Sequence, residues 1–395
     1  MRLGITLCLL MLLTTPAFTE ATEEEGPEAA AEPSPPEEDE KSFWSRFKDP
    51  QDGKFDVTAG SGSASGFLPM VIPFNDPAVG AGLTMALIYF HPRETPAEGA
   101  EKKDESAPPS MTFGGGAYAD NGSWAAAAGH MGIWKGGSVR YTGALLYASA
   151  DLEFYGIGSD PGLNDDSISF NIEGGGTLQE IKFRLGKTRL FAGTSYVFLD
   201  TDAQFQVFGG FPLEGKTDDA GLTAFLSYDS RDNVFTPNVG TYAKAHVSRF
   251  AKALGGDFNY TSDGISALHY QPVFKKRLIL GFRLDYQHAG DDSPFYALPW
   301  VHLRGIPAFR YLGNYALTSE VEPRWKIDDR WSVLAFFGAG RAAREYKQLD
   351  DAEKASSYGA GFRYLLSRKL GLTGGLDMAH GPEENTVHII FGSAW

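Results

Sequence analysis

Leu278-Ile279-Leu280-Gly281-Phe282-Arg283-Leu284-Asp285-Tyr286-Gln287-His288 alternates in character: Leu278, Leu280, Phe282, Leu284 and Tyr286 are apolar, while Gly281, Arg283, Asp285 and Gln287 stand between them. Successive side chains of a strand point to opposite faces, so this stretch has one greasy face and one that carries charge. Residues 79–91 read the same way, with Ala81, Leu83, Met85, Leu87 and Tyr89 set against Gly80, Gly82 and Thr84. In residues 313–325, Tyr315, Leu317, Val321 and Trp325 share one face and Asn314, Glu320, Glu322 and Arg324 the other. A soluble sandwich turns the greasy face inward, whereas a membrane barrel turns it out to lipid. The period alone does not choose between them.

Three features favour lipid. The alternating segments often reach 10 or more residues, and a tilted membrane strand needs roughly 9–11. Aromatic residues gather near segment ends (Tyr89, Phe90, Trp134, Tyr286, Trp325, Trp331), as an interfacial girdle requires. The chain also closes on Val387-His388-Ile389-Ile390-Phe391-Gly392-Ser393-Ala394-Trp395. There Val387, Ile389, Phe391 and Trp395 are expected on one face of a final strand, resembling the C-terminal signal by which outer-membrane barrels are recognised for insertion.

Strands are expected at 66–73, 79–91, 110–119, 123–134, 138–149, 167–184, 188–200, 218–229, 240–250, 257–270, 276–289, 313–327, 331–342, 356–367, 369–380 and 386–395. Sixteen is an even number, as bacterial single-chain barrels have. Connections at one end are mostly tight (Lys135-Gly136-Gly137, Leu185-Gly186-Lys187, Asp328-Asp329-Arg330), and those at the other are long (150–166, 201–217, 290–312, 343–355). Short periplasmic turns and longer external loops are the barrel habit. Two connections on the tight side break the pattern: the charged Pro-rich insertion 91–110 and the stretch 230–240.

The N-terminal end reads differently. Arg2 followed by the apolar run 5–13 has the form of a secretory signal, placed at 1–21, and is too short to span a bilayer. Its Cys8 is the only cysteine, so the mature chain has no disulfide framework and no thiolate metal site. Glu20 to Glu40 holds ten acidic residues and no basic one. Such a segment buries too little apolar area to order itself, and 22–41 is expected to be a disordered periplasmic tail. It dominates the net charge of −15; the remainder is only mildly acidic and has no basic stripe, which argues against a nucleic-acid partner. Residues 42–65 are expected to form a linker or cap at the barrel opening, and 66–395 the barrel. Within the linker, Asp49, Asp52 and Asp56 lack the oxygen-ligand spacing of a calcium loop, so an Asp-Gly turn against the barrel mouth is the preferred reading. No metal or cofactor is expected. The eight histidines show no metal spacing and no G-x-S-x-G elbow is present, so no catalytic set is assigned.

Two motifs carry a family resemblance. Residues 228–242, with Asp229, Arg231, Asp232, Asn233, Pro237 and Gly240, resemble the D-x-R-D-N-x-x-x-P-x-x-G-x-Y segment of BamA/TamA-like outer-membrane assembly barrels, also called the bacterial surface antigen family. Pro237 fixes one φ angle and Gly240 tolerates a positive one, so a fixed turn is expected. Leu303-Arg304-Gly305-Ile306 is similar to the family's V/I-R-G-F/Y loop signature. The resemblance implies that loop 290–312 folds into the lumen and that Arg304 meets Glu322, with Glu320 on the same face; a guanidinium suits such a carboxylate contact. One departure stands out: where the family usually has an inward Asp, this chain has Gly338. Residues 22–65 leave too little chain for the POTRA domains such barrels usually carry, so a POTRA-less member is expected.

These readings imply a non-enzymatic outer-membrane barrel acting in membrane assembly or in protein or lipid translocation. A weak seam between first and last strands is expected, because the first strand holds Pro69 and ends at Pro73. The alternative is a passive channel or structural surface antigen. The expected partners are outer-membrane lipids, the assembly machinery for its own insertion, and an unidentified protein or lipid client.

Overall fold

A computed structural model describes residues 47–57, 66–76, 78–92, 109–155, 167–206 and 212–395. The expected signal, the acidic tail and most of the insertion 91–110 lie outside them. Sixteen antiparallel strands form one sheet in chain order. They are β1 (Gly66–Asp76), β2 (Gly80–Phe90), β3 (Met111–Ala119), β4 (Trp124–Trp134), β5 (Val139–Phe154), β6 (Ile168–Arg184), β7 (Leu190–Gln206), β8 (Pro212–Asp229), β9 (Gly240–Phe250), β10 (Tyr260–Val273), β11 (Leu278–Ala289), β12 (Tyr315–Lys326), β13 (Trp331–Ala343), β14 (Ala355–Ser367), β15 (Leu372–His380) and β16 (Asn385–Phe391). β16 returns beside β1, but the hydrogen-bonded ladder has no β16–β1 step. The sheet is thus a nearly closed barrel with a seam.

Most strands bury one face inside the barrel and expose the other. Met85, Leu226 and Ile265 are each more than half exposed, as are Phe67 and Leu145. On the buried face of the same strands lie groups such as Thr84, Ser227 and Leu268. The outward apolar belt is what lipid covers and water would not. Aromatic contacts flank it, including Trp134 on Tyr141 and Trp331 on Tyr364 at the end bearing the short turns, and Trp124 on Tyr147 at the other. Phe90 departs from the expected girdle: it is buried inward with Leu370 and Leu372.

Several boundaries move for identifiable reasons. β1 does not stop at Pro73; its register with β2 runs unbroken from Gly66 through both prolines to Asp76. A proline lacks only the N–H that a second neighbour would use, so it fits a strand facing the seam. Parts of the expected loops 150–166 and 201–217 are strand: β5 reaches Phe154, and residues 201–206 and 212–217 extend the β7–β8 hairpin, which pairs Asp200 with Asp218 and Gln206 with Pro212. Polar cross-strand pairs such as Thr201 and Thr217 continue this ladder beyond the apolar belt. The final strand is shorter than expected. β16 ends at Phe391, and Gly392, at φ +76°, turns the chain inward. Val387 keeps its outward place, but Trp395 leaves that face and packs with Tyr270 against the small Gly281 on the inside. The apolar indole finds a buried partner there that the last strand position would not supply.

Candidate functional site

Both ends of the lumen are filled, each by a segment the sequence singled out. At the loop end, residues 290–312 fold into the barrel. Gly338 and Gly340 on β13 have their missing side chains replaced by Leu303 and Val301 of the loop: a Cβ on either glycine would sit 2.5 Å from those side chains. The family departure at Gly338 therefore makes room for the loop. Gly305 takes φ +82°, with its backbone against Ala379 and Gly381, and its N–H donates to His388 Nε2 at 3.1 Å. An ordinary residue would be strained at that φ and would meet β15.

This turn carries Arg304 to the inner faces of β12 and β15. Nε donates to Glu320 Oε1 at 3.0 Å, and Nη2 reaches the same oxygen. Nη1 donates to Asp377 Oδ2 at 2.6 Å. Glu322 Oε2 lies 2.9 Å from Nη1, yet its geometry falls outside a hydrogen bond. Glu320 and Asp377 therefore fix the guanidinium's direction, while Glu322 adds charge. The plane stacks 3.6 Å from the Phe336 ring centroid. Arg363 takes both oxygens of Asp377, Nη1 donating to Oδ1 at 2.5 Å and Nη2 to the shared Oδ2 at 2.8 Å. All of these groups are buried. Burial works against the charged guanidinium of Arg304, but the three carboxylates outweigh it and hold its pKa above the ordinary arginine value. The arrangement is a permanently charged latch, suited to holding the loop and offering no proton at neutral pH.

The structure thus gathers Arg304, Gly305, Glu320 and Glu322. Asp377, Arg363 and Phe336 complete the set and were not assigned from sequence. The available signal was Leu376-Asp377-Met378, a carboxylate alone on the inward face of an otherwise apolar strand.

At the turn end, residues 230–239 form a crossbar under the barrel. Arg231 pairs with Asp229 at 3.0 Å and lies over Tyr242. Asp232 Oδ1 accepts the Asn238 and Val239 amides at 2.9 and 3.2 Å. Asn233 Oδ1 accepts the Phe235 and Thr236 amides, while its Nδ2 donates across the mouth to the Leu370 carbonyl at 2.7 Å. Thr236 meets Thr373 at 2.9 Å, and the Pro237 carbonyl accepts from Arg324 at 2.6 Å. Gly240 takes φ +114°, and a side chain there would strike the Ser230 carbonyl, so both the angle and the space call for glycine. The Ser393 amide donates to the Phe235 carbonyl at 2.6 Å, so the turn motif and the C-terminal residues meet.

Outside this crossbar, Asp49, Asp52 and Asp56 turn their oxygens to Arg330 and Arg368, leaving arginines where a calcium ion would have to sit. Among the described residues no group of three or more His, Cys, Asp or Glu side chains is placed to hold a metal ion.

The fold and the two closures define a class: a sixteen-stranded antiparallel barrel with an inward latched loop and a seam. Known proteins agree. The model of the Omp85 superfamily domain matches residues 139–298. BamA from Haemophilus ducreyi lacking POTRA domains 1–3 superposes with a TM-score of 0.54 at 12% identity, covering 83% of this chain and 70% of that one. CdiB from Escherichia coli gives 0.58 at 11% identity, covering 81% and 61%. CdiB from Acinetobacter baumannii gives 0.54 at 8% identity, covering 82% and 59%. The chain spans less than two thirds of either CdiB. No curated protein matches the sequence. Residues 139–298 thus resemble the Omp85 superfamily domain, and the barrel resembles BamA and CdiB in fold.

Proposed function

We propose that this protein lies in the outer membrane with its turn end in the periplasm and acts without catalysis, in membrane assembly or in passing protein or lipid. The observation that carries this reading is the seam. β16 has seven residues and β1 has eleven, and no ladder joins them. Pro69 and Pro73 leave β1 two amides short on an edge. A client strand or lipid entering there would exchange few hydrogen bonds for its own.

A steady channel is the poorer reading because the lumen is occupied. Phe309 and Leu312 of the loop pack in one apolar cluster with Phe74, Ala119, Ala125, Leu152 and Phe170 of the wall. The latch, with Arg304, Glu322 and Glu320, is proposed to hold this plug in place. The crossbar at Asp229, Arg231, Asp232, Asn233, Pro237 and Gly240 is proposed to hold the other end. Val387, Ile389 and Phe391 are proposed to serve insertion by the cell's barrel-assembly machinery, with Trp395 tucking inward afterwards.

The test uses paired cysteines on β1 and β16, which the otherwise thiol-free mature chain permits. In cells lacking the gene, the parent should restore the wild-type profile of outer-membrane proteins and lipids. A seam-locked variant should fail until a reductant opens the disulfide. Full restoration by the locked barrel would overturn the seam as the working element.

A further inference from the structure

We propose that the turn-end mouth carries a cationic receptor site for a carboxylate-bearing peptide turn, and that Asp49, Asp52 and Asp56 are its resident occupant, held in cis. This inference is independent of the seam and of what passes through it.

The occupant is a compact turn. The Asp49 amide donates to the Lys54 carbonyl and the Gly53 amide to the Asp49 carbonyl, each at 2.8 Å, with Gly53 at φ +68°. Lys48 and Phe55 bridge its ends. This folding turns all three carboxylates to one side. The receptor is built by the barrel alone: Arg330 comes from the β12–β13 turn and Arg368 from the β14–β15 turn. The Asp328 carboxylate shapes the first of these by accepting the Arg330 and Trp331 amides, both at 2.7 Å.

The grip is dense. The Arg330 side chain has no exposed surface. It reaches Asp49, donates to Asp52 at 2.7 Å and Asp56 at 3.1 Å, and also donates to the Leu365 carbonyl at 2.9 Å. Arg368 donates to Asp49 at 2.7 Å and Asp52 at 2.8 Å, and its backbone amide to Asp56 at 2.8 Å. Planar guanidinium groups take carboxylates in this paired fashion with geometric selectivity. Elsewhere the turn is joined to the barrel by the Val57 amide on the Leu366 carbonyl, by the Tyr364 hydroxyl and Arg330 on the Phe55 carbonyl, and by an exposed Lys54–Asp328 pair at 3.5 Å. It is held as a ligand is held, through side-chain charge.

The site is also larger than its occupant. A cavity of about 460 Å³ adjoins it, lined by Arg330 and Arg368 and further by Arg324 and Lys326. Lys326 makes no ion pair among the described residues, and Arg324 donates to the Pro237 carbonyl and the Asn238 amide oxygen. The acids on this lining, Asp232 and Asp328, are engaged with turn amides, and Asp329 is the third. Four cations against three acids leave the lining positive before the turn binds, so the hollow favours a carboxylate-bearing peptide. A segment of another polypeptide carrying the D-x-x-D-G-x-x-D spacing is the partner the chemistry fits.

The full mature chain in detergent tests this, with a fluorescent peptide of residues 47–57 as the probe. A tethered turn acts at an effective concentration on the order of mM, so the parent should bind micromolar peptide poorly. Asp49→Asn/Asp52→Asn/Asp56→Asn should bind it roughly tenfold or more tightly than the parent. Adding Arg330→Gln should abolish that gain, and the same peptide with three Asn should not bind. If the triple variant does not fold, Asp52→Asn replaces it, since Asp52 is the most exposed of the three. A folded, heat-modifiable variant that binds peptide no better than the parent, or binds the Asn peptide equally, overturns the proposal and leaves the turn a simple staple.

Discussion

The lumen has two walls of opposite chemistry that meet at the seam. The inner face of β1–β5 is apolar and mostly small, with Met70, Ile72, Phe74, Ala86, Ala117, Ala125 and Ala144 buried along it. The inner face of β11–β15 buries three arginines, Arg283, Arg324 and Arg363, with four carboxylates, Asp285, Glu320, Glu322 and Asp377. Arg304 of the loop makes the charges even. One loop satisfies both walls: Phe309 sits in the apolar cluster, and Arg304, five residues earlier, enters the charged one. The apolar side fixes where the plug sits by volume, and the charged side fixes how it is oriented by direction. Neither wall alone would do both.

The largest effects should come from removing the two anchors, and rescue should tell them apart. Arg304→Ala leaves Glu320 and Glu322 buried beside a void and should cost about 3–5 kcal/mol of barrel stability, read from heat-modifiable mobility or urea unfolding. Phe309→Ala opens a cavity and should cost a similar amount, about 3–5 kcal/mol. Arg304→Lys should recover part of the first loss and Phe309→Leu part of the second. Rescue of Arg304 by Met instead would show that the charged wall works by packing. In planar bilayers either alanine variant should turn small, erratic openings into larger conductance, and parent-like traces from both would separate the plug from its anchors.

A smaller loss, about 1–3 kcal/mol, is expected for Gly338→Leu, which forces Leu303 out of its place. Fluctuating loop 290–312, seen as faster amide exchange there than in β13, would be its signature. Smaller again is Thr236→Val, which removes a crossbar hydrogen bond and should cost about 1 kcal/mol. The turn held by Arg330 adds a pH dependence. Amide contacts and the arginines hold Asp49 and Asp52 below the usual carboxylate range. Groups depressed in the folded state stabilise above their unfolded pKa and lose that contribution as pH falls through the folded one. Protection of residues 47–57 in hydrogen exchange should therefore persist through pH 4 and fail only in stronger acid. Loss near pH 4 would mean that the arginines do not control the turn.

Most of the barrel was legible because its code is local. Alternation in 79–91 or 278–288 names the strand and both faces, and sixteen expected strands correspond to sixteen observed. The ends were less legible because they depend on contacts far away in sequence. Pro73 reads as a terminator until β2 is known to pair on its other side. Trp395 continues the pattern of Val387 and Ile389, yet Gly392 and the space left by Gly281 draw it inward. Arg304 and Glu322 were assigned by family resemblance, and Glu320 because alternation puts it on the same face. Asp377 was missed because its strand comes fifty residues after theirs and nothing local links a lone carboxylate to a distant arginine. The apolar character of the β1–β5 wall was also hidden: alternating Gly and Ala look neutral until the plug's aromatic rings are placed against them.

A membrane barrel requires that the two faces of these strands meet lipid and lumen. Single spin-labelled cysteines in the reconstituted barrel test it, at Met85, Leu226 and Ile265 outward and at Thr318 and Ser357 inward. The outward labels should be accessible to oxygen and shielded from a water-soluble nickel reagent, and the inward labels immobile and shielded from both. Outward labels in free contact with the nickel reagent would contradict the membrane barrel itself.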